Sequence, residues 1–111
     1  MSTRATVHFQ YKGITEAIVY RHSDGYPEGL GTDLETFFKE VSENLKDTRF
    51  DTPTYLAAKF VVWDSAHYLQ ETHPLSFRGV GIVMEDPSDI EFRYLVKCSD
   101  GSTPKIVVEK V

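Results

Sequence analysis

RATVHFQYKGITEAIVYR, residues 4–21, decides how the rest of this chain is read. Two runs rich in β-branched and aromatic residues flank Lys12-Gly13, a pair suited to a two-residue turn, so the stretch reads as a β-hairpin. With that turn, Tyr11 is expected to face Ile14, Phe9 to face Glu16, Val7 to face Ile18 and Ala5 to face Tyr20. Their shared side is largely apolar and should look at a core. The opposite side carries Arg4, Thr6, His8, Gln10, Thr15 and Arg21 and should be wetter. His8 therefore reads as a surface residue rather than a ligand.

Downstream of the hairpin the period changes from two to 3.6. Leu34, Phe37, Phe38, Val41 and Leu45 form one apolar stripe, which predicts a helix over 33–46. Thr32 is its expected N-cap, with Glu35 completing a capping box. Glu35, Lys39, Glu43 and Lys46 fall outside the stripe at spacings that suit a solvated, ion-paired face. Thr52-Pro53 then opens a second helix, predicted over 53–69, because proline fits the first helical position. Leu56, Phe60, Trp63 and His67 line one side of it, and Ala57, Val61, Asp64 and Tyr68 lie beside them. QETHPLSFRG, residues 70–79, reads as a polar link.

The remaining segments, residues 79–85, 89–97 and 104–110, read as strands separated by the turn signals DPSD and SDGST. The order ββααβββ lacks βαβ alternation. It predicts one α+β domain spanning 1–111, with an antiparallel sheet of about five strands carrying two helices on one face. Cys98 ends an apolar row of the middle strand and reads as a small buried hydrophobe rather than a nucleophile. Phe37, Phe38, Val41, Phe60 and the Val7/Phe9 row are the expected core.

Composition bounds the function. A chain of 111 residues with 41% hydrophobic and 13% aromatic content can bury a core without disulfide or metal. A net charge of −5 argues against non-specific nucleic-acid binding and against charge-driven attachment to an anionic membrane. A lone cysteine is consistent with a reducing compartment. The alternating N-terminus does not resemble a signal peptide, and no apolar run is long enough to span a bilayer. A cytoplasmic location is the expectation.

The residues left over by the fold are concentrated in YRHSDGYPEGLG, residues 20–31. Asp24-Gly25 signals a turn in which glycine is free to take a positive φ, and Pro27 pushes Tyr26 toward an extended backbone. Gly29 and Gly31 add permissive points before the helix. A loop shaped residue by residue on a rigid frame suits recognition. Arg21, His22, Asp24, Tyr26 and Glu28 are the candidate binding residues, and Gly25, Pro27, Gly29 and Gly31 the structural ones. The plain alternative is a connection whose His22 and Tyr26 pack its underside.

Catalytic readings are weaker. His22 and Asp24 make an H-x-D pair that His67 and His73 could complete as a metal set, but the spacing is loose, and no metal or other cofactor is expected. The glycines before the helix lack the lysine of a phosphate loop, and Asp33 and Glu35 would repel an anion. Only Arg21 and His22, with Arg4 and Arg78 in reserve, could hold one. Ser23 lies between His22 and Asp24 in sequence, where triad geometry is out of reach.

YRHSDGYPEGLG, preceded by a short hairpin and followed by LETFFKEV, resembles a family of small bacteriophage and prophage proteins with a Tyr-Arg-His-x-Asp-Gly-Tyr-Pro-Glu-Gly core. The resemblance covers about twelve residues and implies a phage-type accessory protein without a reaction attached. The resulting expectation is a protein that binds a partner, such as a host protein or defence component, through residues 20–31. The alternative is a small metal- or phosphate-handling enzyme, or a sponge for a phosphorylated small molecule, using the same loop.

Overall fold

The computed structural model describes residues 3–44, 50–69 and 79–111, with side chains of the second helix described as far as Ala66. Strands β1 (Ala5–Tyr11) and β2 (Ile14–Arg21) form the expected hairpin. Its turn has positive φ at both Lys12 (52°) and Gly13 (80°), the backbone whose twist matches that of the flanking strands. Helices α1 (Thr32–Asn44) and α2 (Pro53–Leu69) follow, then β3 (Val80–Val83), β4 (Phe92–Ser99) and β5 (Ser102–Lys110). The expected continuation of α1 through Leu45 and Lys46, and the link over 70–78, lie outside the described residues.

The class is α+β, as the element order predicts, but the sheet is mixed. Its order is β3-β2-β1-β4-β5, and β1 pairs with β4 in parallel while the other neighbours are antiparallel. An all-antiparallel sheet was the expectation, with DPSD closing a tight turn between β3 and β4. Instead β3 and β4 point the same way on opposite sides of the hairpin. Parallel strands cannot be joined by a tight turn, so residues 84–91 must cross the sheet. They cross the face opposite the helices, where Asp86 takes hydrogen bonds from Thr6 Oγ1 (2.7 Å) and Arg93 Nε (2.7 Å) and meets His8 Nε2 (2.7 Å). Burial alone would raise the Asp86 pKa, but these partners outweigh it and hold the carboxyl below its ordinary range.

The hairpin register also differs from the expectation, with a consequence for the loop. Tyr11 faces Ile14 and Gln10 faces Thr15, but Phe9 faces Ala17, so Glu16 is the extra residue of a β-bulge. Beyond the bulge Val7 faces Val19 and Ala5 faces Arg21. A one-residue slip moves every later side chain to the other face. Val19 and Arg21 therefore turn inward, where Ile18 and Tyr20 were expected.

Both helices cover that inner face. Leu34, Phe37, Phe38 and Val41 of α1 and Leu56, Ala57 and Phe60 of α2 bury themselves against Val7, Phe9, Val19, Tyr94, Val96 and Cys98. The Phe60 ring touches those of Phe9, Phe37 and Trp63 at centroid separations of 6.5, 5.4 and 6.0 Å. The expected core residues are thus all buried. Cys98 joins them, and burial pushes its thiol up to about 11, which suppresses the reactive thiolate.

Candidate functional site

The stretch 20–31 links the end of β2 to α1 and is tied down along most of its length. Gly25 N–H donates to Thr3 O (2.9 Å), and the Tyr94 hydroxyl donates to Gly25 O (2.7 Å) from inside the core. Leu30 N–H donates to Asp24 O (2.8 Å), Gly29 N–H to Tyr26 O (2.9 Å) and His22 N–H to Gly79 O (3.2 Å). Leu30 itself is fully buried and plugs the loop into the core.

Glycine is required at two of the predicted structural positions, by close approach. A Cβ at Gly25 would sit 2.7 Å from Ala5 Cβ and 2.8 Å from Thr3 O, and one at Gly29 would sit 2.4 Å from Asp24 O. At Gly31 a Cβ would meet only ordinary contacts, the nearest at 3.5 Å on Tyr94. The positive φ of the turn belongs to Asp24 (56°), not to Gly25 as expected; Asp is one of the few residues that tolerates it.

Pro27–Gly31 form one turn of π-helix that runs straight into α1. Thr32 is consequently helical (φ −63°, ψ −40°), not the N-cap its residue type suggests; its N–H already finds Pro27 O and its hydroxyl lies 3.5 Å from the same oxygen.

Arg21 departs furthest from its expected role. The bulge carries it inward, where it is 0% exposed and cannot offer donors to a partner. Its guanidinium lies 2.7 Å from Asp33 in the first turn of α1 and 3.5 Å from Asp64 of α2, and its Nε donates to Ser23 O (3.1 Å). Asp64 is 1% exposed, so this cation answers a carboxylate that has little access to water. One side chain thereby ties the end of β2, the loop and both helices together. It also removes the cation that an anion-binding loop would need at its surface.

The other four candidate binding residues point outward. His22, Asp24, Tyr26 and Glu28 are exposed, with Tyr26 at 39%. The Tyr26 hydroxyl donates to Asp24 Oδ1 (3.3 Å), and His22 Nδ1 lies 2.9 Å from the Tyr20 hydroxyl. The charge of Asp24 and this hydrogen bond keep the Tyr26 phenol above its ordinary pKa. The outer surface is therefore an aromatic ring flanked by carboxylates, with one imidazole.

Among the described residues no group of three or more His, Cys, Asp and Glu side chains is placed to hold a metal; His73 and the side chain of His67 lie outside them. The supports that sequence reasoning missed are Tyr94, Leu30, Asp33 and Asp64. Two of them carried a signal, since a tyrosine in an apolar strand row and an aspartate beside an apolar helix stripe both need a polar partner. A separate concavity of about 590 Å³ opens between α1 and α2, lined by Phe37, Val41, Ala58, Val62 and Trp63.

Comparison with protein-family models, with curated proteins and with solved structures finds no match to this chain. No helix among the described residues is long and apolar enough to cross a membrane.

Proposed function

We propose that this protein is a non-enzymatic accessory protein of the phage or prophage type, working in the cytosol by binding a protein partner through His22, Asp24, Tyr26 and Glu28. The observation that carries this reading is the contrast between the two sides of the loop. Its underside is fastened by Tyr94, Leu30 and the buried Arg21, while His22, Asp24, Tyr26 and Glu28 are exposed on its outer side. A loop held this firmly loses little conformational freedom on binding, so more of its contact energy appears as affinity. Tyr26 supplies the large amphipathic contact typical of interface hot spots, and Asp24 and Glu28 suit a basic patch on the partner, a host protein.

The test compares capture of the partner by the wild-type protein, Tyr26→Ala and Glu28→Lys, each followed by thermal unfolding. Both variants should melt within a few degrees of wild type, because neither side chain is buried. Tyr26→Ala should weaken capture by about 30-fold or more, the scale of a hot-spot residue. Variants that capture the partner as well as wild type, or that lose capture only because they unfold, would reduce the loop to scaffolding.

A further inference from the structure

The two edges of the sheet differ. Strand β3 ends one side after four residues and contains Gly81, whereas β5 runs for nine along the other. Which backbone groups of β5 face outward follows from one bond. Val111 N–H donates inward to Glu91 O (2.9 Å), and backbone groups alternate along a strand. Lys105, Val107 and Glu109 therefore turn their backbone groups toward β4, and Pro104, Ile106, Val108 and Lys110 turn theirs outward. Pro104 fits this assignment, since it lacks an N–H and occupies a position where none is needed for the ladder. Ile106 and Val108 are left with N–H and C=O groups pointing away from the sheet, and the Val108 side chain is exposed.

We propose that β5 pairs with β5 of a second copy of this chain, antiparallel about a two-fold axis through Val107. In that register Ile106 faces Val108 of the second copy and exchanges hydrogen bonds with it in both directions. The same pairing sets Lys105 opposite Glu109 of the second copy, twice by symmetry. Charge selects this register. Within one chain Lys105 lies opposite Lys97, a like-charged neighbour, while Glu109 lies opposite Arg93 and binds its guanidinium at 3.2 Å. Lys105 thus gains in the pair an acidic neighbour across the strands that the monomer does not place opposite it. Moving the axis to Ile106 or Val108 would remove the lysine–glutamate facing. The inference is independent of the loop reading, because β5 lies at the far edge of the sheet from β3 and shares no side chain with residues 20–31.

The experiment is sedimentation velocity of the full chain over a concentration series, on wild type, Lys105→Glu, Glu109→Lys and the double exchange. Wild type should show a monomer–dimer equilibrium. Each single change places like charges opposite each other twice and should weaken association by about tenfold or more, while the double exchange restores it. Lys105→Glu relieves the Lys97 contact within the chain, so it should fold, which circular dichroism checks. A wild-type protein that stays monomeric throughout overturns the proposal. So does a dimer indifferent to Lys105→Glu, or a double exchange that fails to recover pairing.

Discussion

Replacing Tyr94 by phenylalanine removes a single oxygen from beneath the loop. That oxygen donates to Gly25 O at 2.7 Å, and both residues are buried, Tyr94 with 1% of its surface exposed. Phenylalanine fills nearly the same volume, so no cavity is expected, and the loss is that of a hydrogen bond whose acceptor stays buried. Such a deletion costs about 1–3 kcal/mol. For a domain of this size each kcal/mol lowers Tm by roughly 3–6 °C. Thermal and urea unfolding of the two proteins measure the difference. Hydrogen exchange should locate it, with faster exchange at Gly25 and Leu30, whose N–H groups bond to Thr3 O and Asp24 O.

The pH dependence provides a second reading of the same bond. Burial pushes the Tyr94 phenol up from 10.0 to about 12. The folded state therefore favours the protonated form, and its contribution is fully present below about pH 10 and is lost as pH rises through about 12. The difference amounts to at most roughly 3 kcal/mol. Subtracting the Tyr94→Phe profile cancels the other tyrosines, so the difference between the proteins should shrink above about pH 10. A variant as stable as wild type at neutral pH, with unchanged exchange at Gly25, would show that the hydroxyl does not hold the loop.

Arg21→Met keeps most of the side-chain volume but removes a buried cation that faces both Asp33 and Asp64. The expected cost is about 3–5 kcal/mol by urea unfolding, and a loss below about 1 kcal/mol would refute the burial argument. Asp86 has its pKa held down, so its contribution is present above the ordinary carboxylate value of 3.8 and is lost as pH falls below it. Asp86→Asn should flatten the acid limb of the stability–pH curve; an unchanged limb would mean that the crossing over the sheet is not pinned by this carboxylate.

The sequence by itself determined what local pattern can carry: the Lys12-Gly13 hairpin, the two helices with their apolar stripes, the three later strands and the buried row of β4. It also marked residues 20–31 as the connection with the most specialised backbone, because Gly25 and Pro27 are types whose placement is decided within a few residues. Three things were decided only by tertiary structure. The bulge at Glu16 is one, since nothing near the turn requires an extra residue there; the slip it introduces is what turns Arg21 inward, to meet Asp33 and Asp64 from two helices. The parallel pairing of β1 with β4 is another, because strand neighbours depend on which edge of the hairpin is free, and DPSD reads the same as a turn or as part of a crossing. The last is the division of the loop into an inner and an outer side. Arg21, His22 and Tyr26 look alike as polar residues in a row, and only the partners packed beneath them, Tyr94 and the two aspartates, settle which is buried and which meets the solvent.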